Sequence, residues 1–508
     1  MSTRTYSDAV DSLNSLQSNA AVLEAVRASG GRSSAFAIPE MIEYLGRIGY
    51  EPKDLNALNV IHITGTKGKG STSAFTDSIL REANPEWTIG LYTSPHLVAV
   101  RERIRINGRP ISEEDFAKFF FEVWDRLNEN KKRVETTPDK PGYFRFLTLV
   151  AFHAFLSLRV DATILEVGVG GTYDSTNIVP KPVVTGITSL GIDHVNVLGK
   201  TLGEIAWQKG GIFKEGVPAF TVNQPSDGLD VLRQQAKDLK ANAHFYIPSS
   251  EFNVVSPMPA LSDVKLGLAG AHQIQNACLA VHLARSFLQS RNLNSSEAIL
   301  TDDFVWGLEK ASWPGRCQTV VDPVFTNTTW YLDGAHTLES LDCCMQWFVS
   351  PSVGLQIDAN RQSTSRILVF NCTSGRSGST FLHSIYSHTT AQLELHGSDE
   401  SISSFFDHVI FCTNVTYADG GFKGDLTTLA IPEADLTQLK SQHELASAWS
   451  SFVPTFPSEN IHVLPSIEHT VNLVRQLESS TGHATILVAG SLHLVGGIIE
   501  VAGLSFSL

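Results

Sequence analysis

The 508-residue sequence is short of several things, and each shortage argues against a class of protein. Basic residues are in the minority: 38 Lys and Arg stand against 52 Asp and Glu, a formal net charge of −14. Neutralising a nucleic-acid backbone or an anionic membrane surface takes the opposite balance, so general binding to either is disfavoured. Cysteine is sparse and scattered. Its six copies, at 278, 317, 343, 344, 372 and 412, form no C-x-x-C pair, and most lie in apolar runs such as Phe370-Asn-Cys372 and Ile410-Phe-Cys412. That pattern predicts buried reduced thiols and argues against a disulfide framework or a zinc site. Long apolar runs are missing too. The longest, Leu147 to Leu158, contains His153 and is too short to span a bilayer. The first residues lack the apolar core of a signal peptide, and an early Asp8 disfavours a transit peptide. The expectation is a cytoplasmic protein, with a mitochondrial pool reachable through an alternative upstream start. No internal repeat or low-complexity tract is evident.

What is present is ordinary in bulk and specific in detail. Hydrophobic residues make up 42% and charged residues 18%, which suits a water-soluble globular protein. The length predicts two or more domains. Apolar periodicity predicts helices over residues 6 to 30 (Ala9, Leu13, Leu16, Val22, Val26) and over Ile38 to Ile48. Short apolar runs at 88–92, 162–167, 183–188 and 217–222 alternate with helical stretches at 113–128, 144–158 and 202–213, and a further helix spans 279–288. A second series of strands is expected at 329–332, 366–370, 408–412 and 485–489, separated by polar loops at 358–365 and 397–404. The alternation predicts mainly parallel sheets covered by helices. The expected fold class is α/β: a P-loop ATPase-type N-terminal domain over 1–320 and a smaller Rossmann-like domain over 321–508, with a hinge near 317–328.

One segment carries most of the chemistry. Val60-Ile-His-Ile-Thr-Gly-Thr-Lys-Gly-Lys-Gly-Ser-Thr72 is an apolar run, a glycine-rich turn and a helix-compatible start. Strand, glycine turn and helix together form a phosphate cradle. Glycines let backbone N–H groups approach phosphate oxygens, a lysine reaches the outer phosphates, and a hydroxyl ligates Mg2+. The spacing departs from G-x-x-x-x-G-K-S/T because Gly70 separates Lys69 from Ser71.

Other polar groups follow predicted strands. Glu166 ends Thr163-Ile-Leu165 and opens Glu166-Val-Gly-Val-Gly-Gly171, where a carboxylate either holds nucleotide-bound Mg2+ or caps a glycine turn. Ser189-Leu-Gly-Ile-Asp-His194 places Asp193 and His194 at the same sheet edge, and Tyr92-Thr-Ser-Pro-His96 projects there too. Lys209, in Ala206-Trp-Gln-Lys-Gly-Gly211, reads by pattern as a solvated helix lysine. His272, Gln273 and Asn276 lie at a helix start, where polar side chains often only cap. Arg316 and Asp333 flank the expected hinge, a common place to clamp a ligand.

Taken in order, GTKGKGS, TSPHL, LEVGVGG with TYDSTN, SLGIDH, a lysine fifteen positions beyond that histidine, GAHQIQNA, WPGRCQ, LDGAHT and VAGSLHLVGG closely resemble the folylpolyglutamate synthases of the Mur-ligase superfamily. The resemblance runs from about residue 35 onward. It implies a reaction in which ATP phosphorylates the γ-carboxylate of a tetrahydrofolate (poly)glutamate, and the amine of L-glutamate attacks the acyl phosphate. It also implies roles. Gly65, Thr66, Gly68, Lys69 and Gly70 would hold the triphosphate, and Ser71 a Mg2+. Ser94, Glu166 and His194 would hold a second Mg2+. Lys209 would be carbamylated, against the solvated-lysine reading. Gln273 and Asn276 would face the adenine, Arg316 a phosphate, and Asp333 the ribose or phosphate edge. His336 would lie beside the reacting tail. A monovalent cation such as K+ and a monomeric state belong to the same picture.

Three positions depart from many relatives: Thr172 in place of Arg, Gln208 in place of Glu, and Thr337 in place of Asn. None touches the cradle. Lys67 and Thr337 look more like the eukaryotic than the bacterial bifunctional enzymes. Rival expectations are a dihydrofolate synthase acting on dihydropteroate, a cell-wall Mur ligase, which would need a UDP-binding domain ahead of the loop, and a nucleotide switch without ligase activity.

Overall fold

The computed structural model describes residues 4–18, 36–132, 134–241, 253–255, 261, 263–293, 300–355, 364–372, 377–426 and 438–505. The chain forms two compact units. The first comprises Met1–His96, Val100–Gly267 and Gln273–Ser312; the second comprises Leu97–Ala99, Leu268–His272 and Trp313–Leu508.

The first unit is built on an eight-stranded sheet: β1 Val60–Thr64, β2 Ile89–Tyr92, β3 Ile104–Ile106, β4 Arg109–Pro110, β5 Ala162–Glu166, β6 Val184–Ile187, β7 Ala219–Val222 and β8 Asn253–Val255. The order across the sheet is β4-β3-β2-β5-β1-β6-β7-β8. All pairings are parallel except β2 with β3 and β3 with β4. Every residue of β1, β2, β5 and β6 is buried, as expected of parallel strands covered on both faces.

The covering helices follow from apolar patterning. Tyr143–Leu158 is apolar nearly all round, with ten consecutive buried residues from Phe146 to Phe155. Its aromatics pack with Tyr92, Phe116, Phe120 and Leu165 in one core cluster. A phenylalanine buried there contributes about 1.5–3 kcal/mol over one left exposed. The polar intruder His153 is satisfied: its Nε2 lies 2.5 Å from Glu122 Oε2 and its Nδ1 2.8 Å from the Tyr50 hydroxyl. The helix Glu113–Glu129 starts at Ser112, whose side chain accepts from the Asp115 N–H.

The second unit carries a six-stranded sheet: β9 Gln318–Val321, β10 Thr328–Leu332, β11 Thr364–Phe370, β12 His408–Cys412, β13 Ile461–Leu464 and β14 His483–Ala489. The order is β13-β12-β11-β14-β10-β9, parallel apart from the β9–β10 pair. Helices Leu338–Phe348, Gly378–Leu395, Lys440–Phe452, Ile467–Thr481 and Leu492–Val501 accompany it.

The expected strands fall within a few residues of the observed ones. The segment expected to be a hinge, 317–328, instead carries β9, hydrogen-bonded antiparallel to β10. Gln-Thr-Val-Val there has the β-branched content and alternating burial of an edge strand. The helix expected over 202–213 ends at Gly210, before Gly211. That expected over 279–288 runs from Gln273 to Ser290. The first helix is seen as Tyr6–Asn14; positions 19–30 of that expectation, and most of the loop at 358–365, lie outside the described residues. Five of the six cysteines are buried and Cys343 is half-buried. Burial pushes the Cys412 thiol up to about 12 and Cys343 up to about 11. No helix of the described residues is long and apolar enough to cross a membrane.

Candidate active site

Four parallel strands deliver their C-terminal ends to one edge of the first sheet, where open α/β sheets bind ligands. β1 leads into Gly65, β2 into Ser94, β5 ends on Glu166, and β6 leads into Ser189. The turn after β1 passes through Gly65 and Gly68, both in backbone regions that side chains avoid, with φ of 152° and 87°. Space forbids a side chain as well: a Cβ on Gly65 would lie 1.7 Å from Thr188 Oγ1, and one on Gly68 would lie 2.2 Å from Asn276 Oδ1. The helix Lys69–Ala83 then begins. Its N-cap is Gly68, no side chain caps it, and no acidic residue lies in its first turn. Unsatisfied N–H groups and the positive end of a fifteen-residue helix dipole therefore stand at the turn, a ready anion site.

Two ammonium groups converge on this turn. Lys69 Nζ donates to the Gly65 carbonyl at 3.1 Å, and Lys209 Nζ donates to the same oxygen at 2.7 Å. Lys209 is only 3% exposed, not solvated as its pattern suggested. The buried face of its helix is Ile205, Ala206 and Lys209, so the i,i+4 relation to Ile205 is the signal that places it inside. Burial first, and then Lys69, hold the Lys209 amine well below the ordinary lysine range. Lys67 is the third cation, paired with Asp193 at 3.3 Å. Burial alone would raise the Asp193 carboxyl; Lys67, His194 and the His194 N–H outweigh it and hold it at about 2.

The residues expected to hold metal are partly gathered. Glu166 is buried at the end of β5, and its Oε2 accepts the Ser94 N–H at 3.3 Å, joining two of them. Ser71 sits in the first turn of the phosphate helix. His194 lies on an exposed stretch with φ of 50°. Partial desolvation by neighbouring atoms, with Lys69, Lys209 and Lys67, pushes its imidazole down against Asp193, which favours the neutral ligating form. Among the described residues no group of three or more His, Cys, Asp or Glu forms a ready metal cage. An oxygen-rich set of one buried carboxylate and hydroxyls nonetheless fits Mg2+, which keeps several waters and binds alongside substrate phosphates.

Gln273 and Asn276 lie against the phosphate loop. Gln273, with no exposed surface, donates to Ser71 Oγ at 3.3 Å and accepts from Asn276 Nδ2 at 2.9 Å, while Asn276 Oδ1 fills the space beside Gly68. Sequence reasoning gave no sign of this contact across 202 positions. It also missed a buried chain behind the glycine loop. Thr176 Oγ1 donates to Asp174 Oδ1 at 2.6 Å and lies 2.9 Å from His62 Nε2, and Asp174 Oδ2 accepts the Val169 N–H at 3.1 Å. The departures find places here. Thr172 donates both its N–H and its hydroxyl to the Gln208 carbonyl, at 2.8 and 3.0 Å, stitching the glycine loop to the helix that carries Lys209.

Arg316, Asp333 and His336 belong to the second unit. Asp333 follows β10; its Oδ2 accepts the Cys317 N–H at 2.7 Å and its Oδ1 the Ala335 N–H at 2.8 Å. Arg316 is half-buried and donates to the Gly315 carbonyl at 3.0 Å. His336 Nδ1 lies 2.8 Å from the Gly334 carbonyl, which can only accept, so the proton is on Nδ1. Thr337 caps the helix Leu338–Phe348 in a capping box with Ser340.

Residues 63–284 match the Mur ligase middle domain. Over its length the chain is 44% identical to folylpolyglutamate synthase of Saccharomyces cerevisiae strain AWRI796, an alignment of 511 residues covering 98% of this chain and 87% of that protein. The chain belongs to the folylpolyglutamate synthase family. The enzyme of strain ATCC 204508 / S288c is likewise 44% identical, over 512 residues with the same coverage. Solved structures share the fold. Folylpolyglutamate synthase of Mycobacterium tuberculosis, complexed with ADP and AMPPCP, aligns with a TM-score of 0.67 at 22% identity, over 95% of this chain and 98% of that one. The Thermotoga maritima folylpolyglutamate synthase aligns with a TM-score of 0.63 at 24% identity, over 92% and 93%. For a family of ligases, the concentration of cationic groups in an acidic chain falls where the fold's anions would be handled.

Proposed function

We propose that this protein is an ATP-dependent ligase that adds L-glutamate to the γ-carboxylate of tetrahydrofolate (poly)glutamates through an acyl phosphate. Membership of the folylpolyglutamate synthase family supports the substrate class. The observation that carries the chemistry is the pair of lysine side chains, Lys69 and Lys209, on the single Gly65 carbonyl at the mouth of an uncapped helix. A triphosphate is the anion that fits a lysine ammonium beside the positive end of a helix dipole.

The residues divide the work. Gly65, Thr66, Gly68 and Gly70 shape the cradle, and the N–H groups of the first helical turn meet phosphate oxygens. Lys69 follows the charge that moves as the terminal phosphoryl group leaves ATP for the γ-carboxylate. Ser71, Ser94, Glu166 and His194 are the groups we assign to Mg2+, which when bound screens the two anions from each other. Gln273 orients the Ser71 hydroxyl, and Asn276 holds the loop at Gly68. The depressed basicity of Lys209 leaves part of its amine neutral, the form that adds CO2 to give a carbamate and release a proton; a carbamylated Lys209 would become a second buried carboxylate. In the second unit, Arg316 and Asp333 are assigned to the nucleotide. His336 is assigned to a place beside the reacting tail. A monomer acting in the cytoplasm, with K+ as an accessory ion, completes the reading.

The deciding experiment is incubation with ATP, Mg2+ and glutamate, in the presence and absence of K+, with tetrahydrofolate or dihydropteroate as acceptor, followed by product mass. Successive glutamate additions to tetrahydrofolate are expected. Turnover of dihydropteroate alone would make the protein a dihydrofolate synthase, and ATP hydrolysis without either product would make it a switch.

A further inference from the structure

The roles assigned above leave Lys67 and Asp193 unexplained, although they form an ion pair at the phosphate turn. The turn and the segment after β6 are clasped together at this point. The N–H groups of Thr66 and Lys67 both donate to the Ser189 carbonyl, at 2.9 and 3.2 Å. The Thr66 hydroxyl donates to the Gly191 carbonyl and accepts from the Gly191 N–H, each at 3.1 Å. Beyond the clasp, Lys67 Nζ meets Asp193 Oδ2, and Asp193 Oδ1 accepts the backbone N–H of His194 at 2.8 Å. One carboxylate thus links a phosphate-turn lysine to the backbone of the residue assigned to the metal.

The link is of moderate strength and sits where a stronger competitor arrives. Its side chains are 32% and 21% exposed and the separation is 3.3 Å, so solvent screens it. Lys69 and Lys209 are already turned inward onto Gly65. Lys67 is the lysine held by an anion, and a triphosphate at the turn offers it a denser one.

We propose that Lys67 and Asp193 are positioning residues that couple triphosphate binding to the placement of His194. With the turn empty, the pair holds the His194 segment against it. A triphosphate takes Lys67, and Asp193, still bonded to the His194 backbone, is released to follow the metal. The proposal rests on the reading that a triphosphate binds this turn.

A double-mutant cycle tests it, using Lys67→Met, Asp193→Asn and both together. The readout is ATP affinity in EDTA by calorimetry, independent of turnover. Asp193→Asn is expected to tighten metal-free ATP binding about two- to fivefold when Lys67 is present, and to change nothing once Lys67 is Met. The same variant should raise the Mg2+ concentration for half-maximal turnover, with the rate at saturating Mg2+ retained. Equal tightening in both backgrounds would mean that Asp193 acts only through the general field, and the coupling would be wrong. Absence of ATP binding by the unaltered protein would remove the functional reading instead. Asp193→Ser gives the same cycle should Asp193→Asn fold poorly.

Discussion

At the strand ends of the eight-stranded sheet, three lysine ammonium groups share one ion pair and a single carbonyl. At the strand ends of the six-stranded sheet, one carboxylate is shared between two backbone amides. There Asn371 donates to Asn414 and accepts from Gln442, all three buried, so the amides too are spent on one another. The first edge gathers lysine side chains at a helix N-terminus that no side chain caps. The second is built from polar groups matched to one another across segments. A lysine-lined helix end invites an anion; matched polar groups hold loops in shape. Two sheets of similar strand architecture thus provide a reactive edge and a rigid one.

The comparison breaks most decisively at Lys209. Lys209→Ala should lower the turnover number by about 10²–10³-fold, the cost of removing one preorganised electrostatic group, with the fold intact by circular dichroism. Retention of turnover would mean that the first edge does not work through its buried lysine. On the second edge, Asp333→Ala strands the N–H groups of Cys317 and Ala335, both otherwise bonded to the carboxylate. A loss of about 2–4 kcal/mol in urea unfolding is expected. An unchanged midpoint would show that the carboxylate is not what shapes that edge.

The smallest effect sharpens the first edge from beneath. His62, in β1, is fully buried, and desolvation, aided by Lys214, pushes its imidazole from 6.5 down to about 3. Its folded value lies below its unfolded one, so the unfolded chain binds the extra proton between them. The stability tied to neutral His62 is complete above pH 6.5 and is lost as pH falls towards 3. The loss is on the order of 2 kcal/mol by pH 5. His62→Gln does not titrate, so its stability should decline less steeply between pH 6.5 and 4 in the same unfolding assay.

How far all this is legible in the sequence depends on range. Strands announced themselves because a fully buried parallel strand must be an unbroken apolar run, as in Ala162–Glu166. Strand-end polar residues were legible for the same reason, since the run stops where the edge begins. Gly378–Leu395 was not recognised, because Ser, Thr and His punctuate its apolar positions and blur the helical period. The hairpin of β3 and β4 is too short to carry any pattern. Within the site, the depth of Lys209 could have been read from its spacing to Ile205. The contacts of Gln273 with Ser71 and of Lys67 with Asp193 could not, because they depend on how chain segments 202 and 126 positions apart are brought together.

The clasp between Thr66, Lys67 and Ser189 has a consequence for how such an enzyme diversifies. Both amides on the rising side of the turn are committed to one neighbouring carbonyl, so the path of the main chain there is set whatever residue stands at 67. A position with a fixed backbone and an exchangeable side chain works as a dial. Rewriting residue 67 alters the charge offered beside the cradle without redrawing the cradle. Substitutions at residue 67 are therefore expected to change nucleotide affinity while leaving the turn's backbone in place.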